Sequence, residues 1–250
     1  MSGPFGSSQW MYSSGGFYDF PIEQSLKFND DDSAYLSWTP ASAGNRKTWT
    51  WSGWVKRGNL GIAQFLFEAG ANVENSTFVR FLADDTLEFQ HNDATVKTFA
   101  RNTSQVFRDT SSWYHIVFSI DTTQPTASDR INIYVNGSLI SSFSESTDPS
   151  QNKDLDFNST QEHRIGFRLN NSNGFDGYLA EVNFIDGQAL DASSFGEFKS
   201  GVWIPKQYGG TYGTNGFRLS FADSSNIGDD TSGNTNDWTA NSLVATDVLL

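Results

Sequence analysis

The chain has no cysteine, which excludes disulfides, thiol nucleophiles, zinc fingers and iron–sulfur ligation. Histidine is scarce, at 3 in 250 residues, and no H-E-x-x-H motif, P-loop or dinucleotide fingerprint is present. Basic residues are also few: 16 Lys and Arg stand against 29 Asp and Glu, a formal net charge of −13. So acidic a chain is ill suited to phosphate backbones or anionic bilayers, and neither nucleic acid nor membrane is expected as a partner. No apolar run is long enough to cross a bilayer, and the first twenty residues lack the basic and apolar regions of a signal peptide. Charged residues make up only 18%, which argues against a coiled coil or a charge-driven disordered chain. Aromatic residues are the abundant class, with 21 Phe, 8 Trp and 8 Tyr. They bury much area per residue, so a core is attainable although only 37% of the chain is hydrophobic.

Residues 1–24 carry no helical or strand period. Asp19 and Glu23 are their only charges, and Phe5, Trp10, Tyr12, Phe17, Tyr18 and Phe20 are spaced by Gly and Ser before Pro21 closes the stretch. A merely flexible tail has no need of so many aromatics. The segment therefore reads as a partner-binding arm that lies on another surface. From Ser25 onward, short strands alternate with turn residues. Thr48–Lys56 (TWTWSGWVK) places Trp49, Trp51, Gly53 and Val55 on one face and Thr50, Ser52, Trp54 and Lys56 on the other. Asn136–Gly137 is a type I′ turn signal joining INIYV to SLISSF. One short helix is expected from about Ala192 to Phe198, capped by Asp191. Regular strand spacing with almost no helical periodicity predicts an all-β antiparallel jelly-roll sandwich over 25–250, its closing segment spanning about 205–250. N-x-S/T sequons at Asn75, Asn102, Asn136, Asn158 and Asn170 arise by chance as readily as for glycosylation in a chain this rich in Asn, Ser and Thr.

Four stretches, SLKFNDDDSAYLS, TWTWSGWVKRG, WYHIVFSID with INIYVNGSLI, and FDGYLAEVNFIDGQAL, together resemble the laminin-G-like, concanavalin A-like sandwich superfamily. With the tail WIPKQYGGTYGTNGF…FADSSNIGDDTSGN…DWTANSL, nearly the whole chain is similar to structural proteins of tailed, often marine, phages. That resemblance implies a virion component, a fibre or decoration protein, assembled in the host cytoplasm. Other virion proteins would be the arm's partners, with a homo-oligomer left open; the alternative reading, a glycan-binding receptor-recognition module, would have a host surface glycan as its partner. One departure stands out: DDTSGNTND (Asp229–Asp237) follows the last family strand instead of preceding the first. Either it closes the same sandwich, the favoured reading, or it opens a further module.

Three constellations are candidates for chemistry. Glu181, Asn183 and Asp186 keep the spacing of the E-x-D-x-x-E strand of concanavalin A-like glucanases, but Asn replaces the middle carboxylate and Asp shortens the last. The expectation is therefore no enzyme, with a glycoside hydrolase as the lower-ranked reading and with Glu181 and Asn183 lining a polar sheet face. Trp54 joins them as a platform on which a sugar ring stacks, against the plain alternative of a core tryptophan. Asp30, Asp31, Asp32 and Asp176 supply hard oxygens of the kind Ca²⁺ prefers, and laminin-G-like domains often hold Ca²⁺ at a loop rim. The alternative is a set of solvated Asx turns. Asp223, Asp229, Asp230 and Asp237 form a second, weaker acidic cluster.

Overall fold

The computed structural model describes residues 17–249. Two eight-stranded sheets face each other, and every pairing in them is antiparallel. The first sheet contains β1 (Ser25–Phe28), β3 (Thr48–Arg57), β8 (Tyr114–Asp121), β9 (Ile131–Val135), β10 (Ser138–Leu139), β13 (Gly177–Asp186), β16 (Phe217–Leu219) and β18 (Val248–Leu249). The second contains β2 (Tyr35–Trp38), β4 (Gln64–Asn72), β5 (Asn75–Phe81), β6 (Thr86–Asp93), β7 (Val96–Val106), β11 (Phe143–Thr147), β12 (Glu162–Ile165) and β17 (Thr239–Asn241). The architecture is the expected antiparallel sandwich. The last strands, β17 and β18, pair with β2 and β1, so the C-terminal segment contributes a strand to each sheet.

The core between the sheets is largely aromatic. Trp49 and Trp51 of β3 point inward and are buried, as the alternation in TWTWSGWVK predicts. Trp49 meets Phe89 edge to face at 6.0 Å and Phe157 at 5.2 Å, while Phe157 stacks on Phe67 at 4.2 Å. Edge and offset contacts of this kind add to the area term, because the ring's positive edge meets a neighbour's negative face. Trp238, from the C-terminal segment, lies between Trp38 and Phe217 at 5.7 and 5.0 Å.

Two expectations need correction. SLISSF does not run on as one hairpin strand. β10 pairs with β9 for only Ser138 and Leu139, after which the chain crosses to the second sheet, where Phe143–Thr147 pairs with β7. The turn itself is as read, with Asn136 and Gly137 both at positive φ (47° and 79°). The helix at 192–198 is a single 3-10 turn, Ala192–Ser194, capped by the Asp191 side chain. The chain then extends as β14 (Gly196–Lys199), which pairs with β15 (Val202–Pro205) in a separate hairpin.

Residues 187–216 fold back over the outer face of the first sheet and make a second, smaller cluster from Val117, Ile185, Ala192, Phe195 and Tyr212. Thr50 anchors this cover: its hydroxyl donates to the Gln188 carbonyl at 2.7 Å and accepts from the Leu190 amide at 2.8 Å. The first sheet is therefore buried on both faces around β3 and β8, and Thr50 and Ser52 are as enclosed as Trp49 and Trp51. Trp51→Ala is expected to cost about 3–5 kcal/mol in chemical denaturation, from lost transfer energy plus the cavity left in the core. An unchanged unfolding midpoint would place Trp51 outside the core.

Candidate functional site

A cleft of about 450 Å³ opens on the outer face of the first sheet, beside the cover. That lies within the roughly 300–1,000 Å³ typical of small-molecule sites. Its apolar wall is Trp54, Trp113 and Trp203, with Tyr18, and its polar rim includes Glu23 and Gln24. Trp54 projects outward because Trp49 and Trp51 occupy the inward positions of β3. His115, its cross-strand neighbour on β8, packs against the Trp54 ring at 4.9 Å. Trp203 is brought in by the β14–β15 hairpin. Its indole lies against Gly137 and Gly196, where a Cβ would collide with the ring, so two bare backbones form its seat.

Trp203 and His115 are also locked by hydrogen bonds. The Trp203 Nε1–H donates to His115 Nδ1 at 3.1 Å. An indole N–H can only donate, so Nδ1 is the acceptor, and Nε2–H is left to donate to Ser52 Oγ at 2.9 Å. Burial drives the His115 pKa down from 6.5 to about 3. His163 is buried in the core by the same logic: its Nε2 accepts from the Asn158 amide, its Nδ1–H donates to the Gln161 carbonyl, and burial lowers its pKa to about 4.

The third wall of the cleft is a strap, residues 17–24. Lys199 of β14 holds Asp19 at 3.0 Å and lies over the Phe17 ring at 5.9 Å. Arg218 of β16 lies over Phe20 at 5.7 Å. This part of the proposed arm therefore packs on its own domain, with Tyr18 half open to solvent. Phe5, Trp10 and Tyr12 lie outside the described residues.

Of the residues proposed to contact carbohydrate, Trp54 lines the cleft, whereas Glu181 and Asn183 do not line an open sheet face. β13 bulges between Ala180 and Asn183, with Glu181 at φ 48°, so simple alternation fails there. Glu181 is buried and clamped by Arg218, whose Nε and NH2 donate to its two carboxylate oxygens at 2.5 and 3.0 Å. The Asn183 amide group donates to the Glu181 carbonyl and accepts from the Tyr212 hydroxyl beneath the cover. Asp186, the third member of the glucanase-like spacing, is also enclosed. Its carboxylate accepts from the Asn45 amide at 2.8 Å, the Asn158 side chain at 2.6 Å and the Asn215 amide at 3.1 Å. It ties three loops together.

The four aspartates proposed for Ca²⁺ do not converge as a ligand set. Among the described residues no three carboxylate or imidazole side chains gather so as to hold a metal ion. Asp30–Asp32 form a 3-10 turn capped by the Asn29 side chain, and Asp32 accepts from Asn29 at 2.6 Å. Asp30 and Asp176 do meet: burial, and then the neighbouring Asp30 carboxyl, push the Asp176 pKa up. The second acidic cluster shapes turns. Asp230 accepts from the amides of Arg218, Ser232 and Asn236, and Asp237 accepts from the Asp230 amide.

With this geometry established, the laminin G domain family, described as the concanavalin A-like lectin/glucanases superfamily, matches residues 30–194. The chain belongs to the concanavalin A-like lectin/glucanases superfamily. No curated protein matches it at the sequence level. Among solved structures, this concanavalin A-like domain is similar to the heptameric SAP-like pentraxin of Limulus polyphemus, at 15% identity over 68% of this chain and 79% of that one, with a TM-score of 0.49. It is also similar to domains LG4-5 of the mouse laminin α1 chain, at 10% identity over 83% of this chain and 49% of that one, with a TM-score of 0.48. A third similar structure is the CBM40 of the Ruminococcus gnavus IT-sialidase, at 10% identity over 69% and 96% of the two chains, with a TM-score of 0.48.

The buried histidines give the domain an acid limit. The unfolded chain takes up protons on them near pH 6.5, while the folded chain resists until about 3 at His115 and about 4 at His163. Their contribution is thus intact above pH 6.5 and is lost progressively as the pH falls below it. Stability measured between pH 6.5 and about 4 is expected to decline, and His163→Gln to reduce that slope by about one proton. An identical slope in the variant would show that His163 is charged in the folded state.

Proposed function

We propose that this domain is a non-catalytic carbohydrate-binding module displayed on a tailed-phage particle, where the part of the arm that precedes the strap, residues 1–16, joins it to neighbouring virion proteins. The observation that carries the binding half is the tryptophan-lined cleft: an aromatic wall beside a polar rim suits a sugar, which has an apolar C–H face and a hydroxyl edge. Membership of a superfamily of lectins and glucanases supports a saccharide as the ligand class. A host surface glycan fits this reading, making receptor recognition the module's use on the particle. The particle half rests on the sequence resemblance to phage structural proteins over nearly the whole chain.

The non-catalytic half is supported by the state of the two carboxylates. Retaining hydrolysis needs a free pair about 5–5.5 Å apart across a substrate groove. Glu181 is occupied on both oxygens by Arg218, and Asp186 by three loop donors. Neither lines the cleft.

A glycan array probed with the full chain is expected to give saturable binding that Trp54→Ala abolishes without lowering the melting temperature by more than a few degrees. Reducing-sugar release from the bound glycans is expected to stay at background. Release that Glu181→Gln abolishes would overturn the non-catalytic reading. Deleting residues 1–16 is expected to leave a folded domain, because the strap retains its contacts with Lys199 and Arg218, while incorporation into particles is lost. Normal incorporation of the truncated chain would move the attachment elsewhere.

A further inference from the structure

We infer that the cleft selects uncharged saccharides and turns away acidic ones, and that Glu23 on the strap sets this preference. The inference rests on the carbohydrate-binding reading above and gives it a ligand class. Among the described residues that line the cleft, Glu23 carries the one formal charge. A carboxylate accepts hydrogen bonds only, which matches the hydroxyl donors of a neutral sugar. Beside it, the Gln24 amide offers both donors and an acceptor. A sialic or uronic acid brings a carboxylate of its own, which needs a cation or a cluster of donors.

Among the described residues, no Lys or Arg lines the cleft. Lys199 is bound to Asp19, Arg218 is clamped to Glu181, and Lys56 lies over the Tyr178 ring at 5.8 Å. The Trp203 indole N–H, a further donor at the wall, is already given to His115. The net charge of −13 adds a repulsive background for any anionic glycan. The discriminating charge also stands on a fixed element, since Asp19 and Phe20 pin the strap to β14 and β16 just before Glu23.

The test is titration of the full chain by tryptophan fluorescence, which the three wall indoles make sensitive to occupancy. The probes are maltotetraose, cellotetraose and lacto-N-neotetraose as neutral glycans, with 3′-sialyllactose and tetragalacturonate as acidic ones. At least one neutral glycan is expected to bind about tenfold or more tighter than either acidic one, given the cost of like charges in contact. Glu23→Gln is expected to weaken neutral binding and narrow the gap. Glu23→Lys is expected to invert the preference, with unchanged melting temperatures showing that both variants fold. Acidic glycans binding as tightly as neutral ones through a Trp54-dependent site would overturn this inference and leave the carbohydrate-binding reading standing. So would a preference unmoved by Glu23→Lys. Binding of no glycan in this set or on the array would overturn the reading itself, and this inference with it.

Discussion

A carboxylate buried in the middle of the first sheet constrains much of this molecule. Glu181 sits on the bulge of β13, where the strand changes neighbours from β1 to β16 while staying paired with β3 along its other edge. The left-handed backbone at a residue other than glycine is costly, and so is a carboxylate taken out of water. Arg218 meets the charge, and it does so from β16, the strand that the bulge admits. Either charge without the other would be a burden on the order of 3–5 kcal/mol. The same guanidinium supports Phe20 of the strap. One ion pair therefore connects the topology of the central strand, the path of the C-terminal segment and one wall of the cleft.

The second constraint is that the first sheet is covered on both sides. A sandwich usually leaves each sheet's outer face to water, and the Thr, Ser and Lys of TWTWSGWVK suggest as much. Here residues 187–216 cover that face, and the polar residues beneath them must be satisfied internally. Thr50 bonds the cover's backbone, Ser52 bonds His115, and Asn183 bonds Tyr212. The cleft exists because the cover stops short of Trp54 and the strap runs along the gap. Trp203 in its aromatic wall is fixed by a hydrogen bond to His115 and by two glycine seats, the kind of preorganisation that a binding surface needs.

How far the sequence is legible follows from the range of each signal. The alternation in β3, the Asn136–Gly137 turn and the rhythm of short strands are local, and they identify the sandwich and the buried faces of Trp49 and Trp51. Trp54 is legible as the odd tryptophan on the polar face. Trp113 and Trp203 are not, because what brings them to the cleft is distant: Trp203 reaches His115 and Gly137 only after its hairpin has docked. Counting in twos along β13 places Glu181 and Asn183 on an open face, and a bulge breaks that count without any marker residue in LAEVNF. Motif spacing in EVNFID is local in the same way. It preserves the intervals of a catalytic strand, while the donors that occupy its carboxylates come from β16 and from the loops around Asn45, Asn158 and Asn215. Arrays of Asp resemble ligand sets, but the carboxylates of Asp32, Asp223, Asp230 and Asp237 accept from nearby amides or hydroxyls and brace turns instead, while Asp176 meets Asp30.

The placement of β17 and β18 bears on how this chain is made. β2 and β1 lie near the beginning of the sandwich, yet each takes an edge partner from residues 239–249. During synthesis from the N-terminus, the sheets can assemble through β13 and still lack their final borders. β1 and β2 then present unpaired amides and carbonyls, the features by which sheets recruit foreign strands. Trp238 arrives with the same late segment, so its place in the core beside Trp38 and Phe217 stays unfilled until then. Contacts this far apart in sequence slow the last step of folding. The two sheets therefore gain these borders only once residues 239–249 have been made. A cell producing many copies at once has to keep the open-edged intermediates apart until those borders are in place.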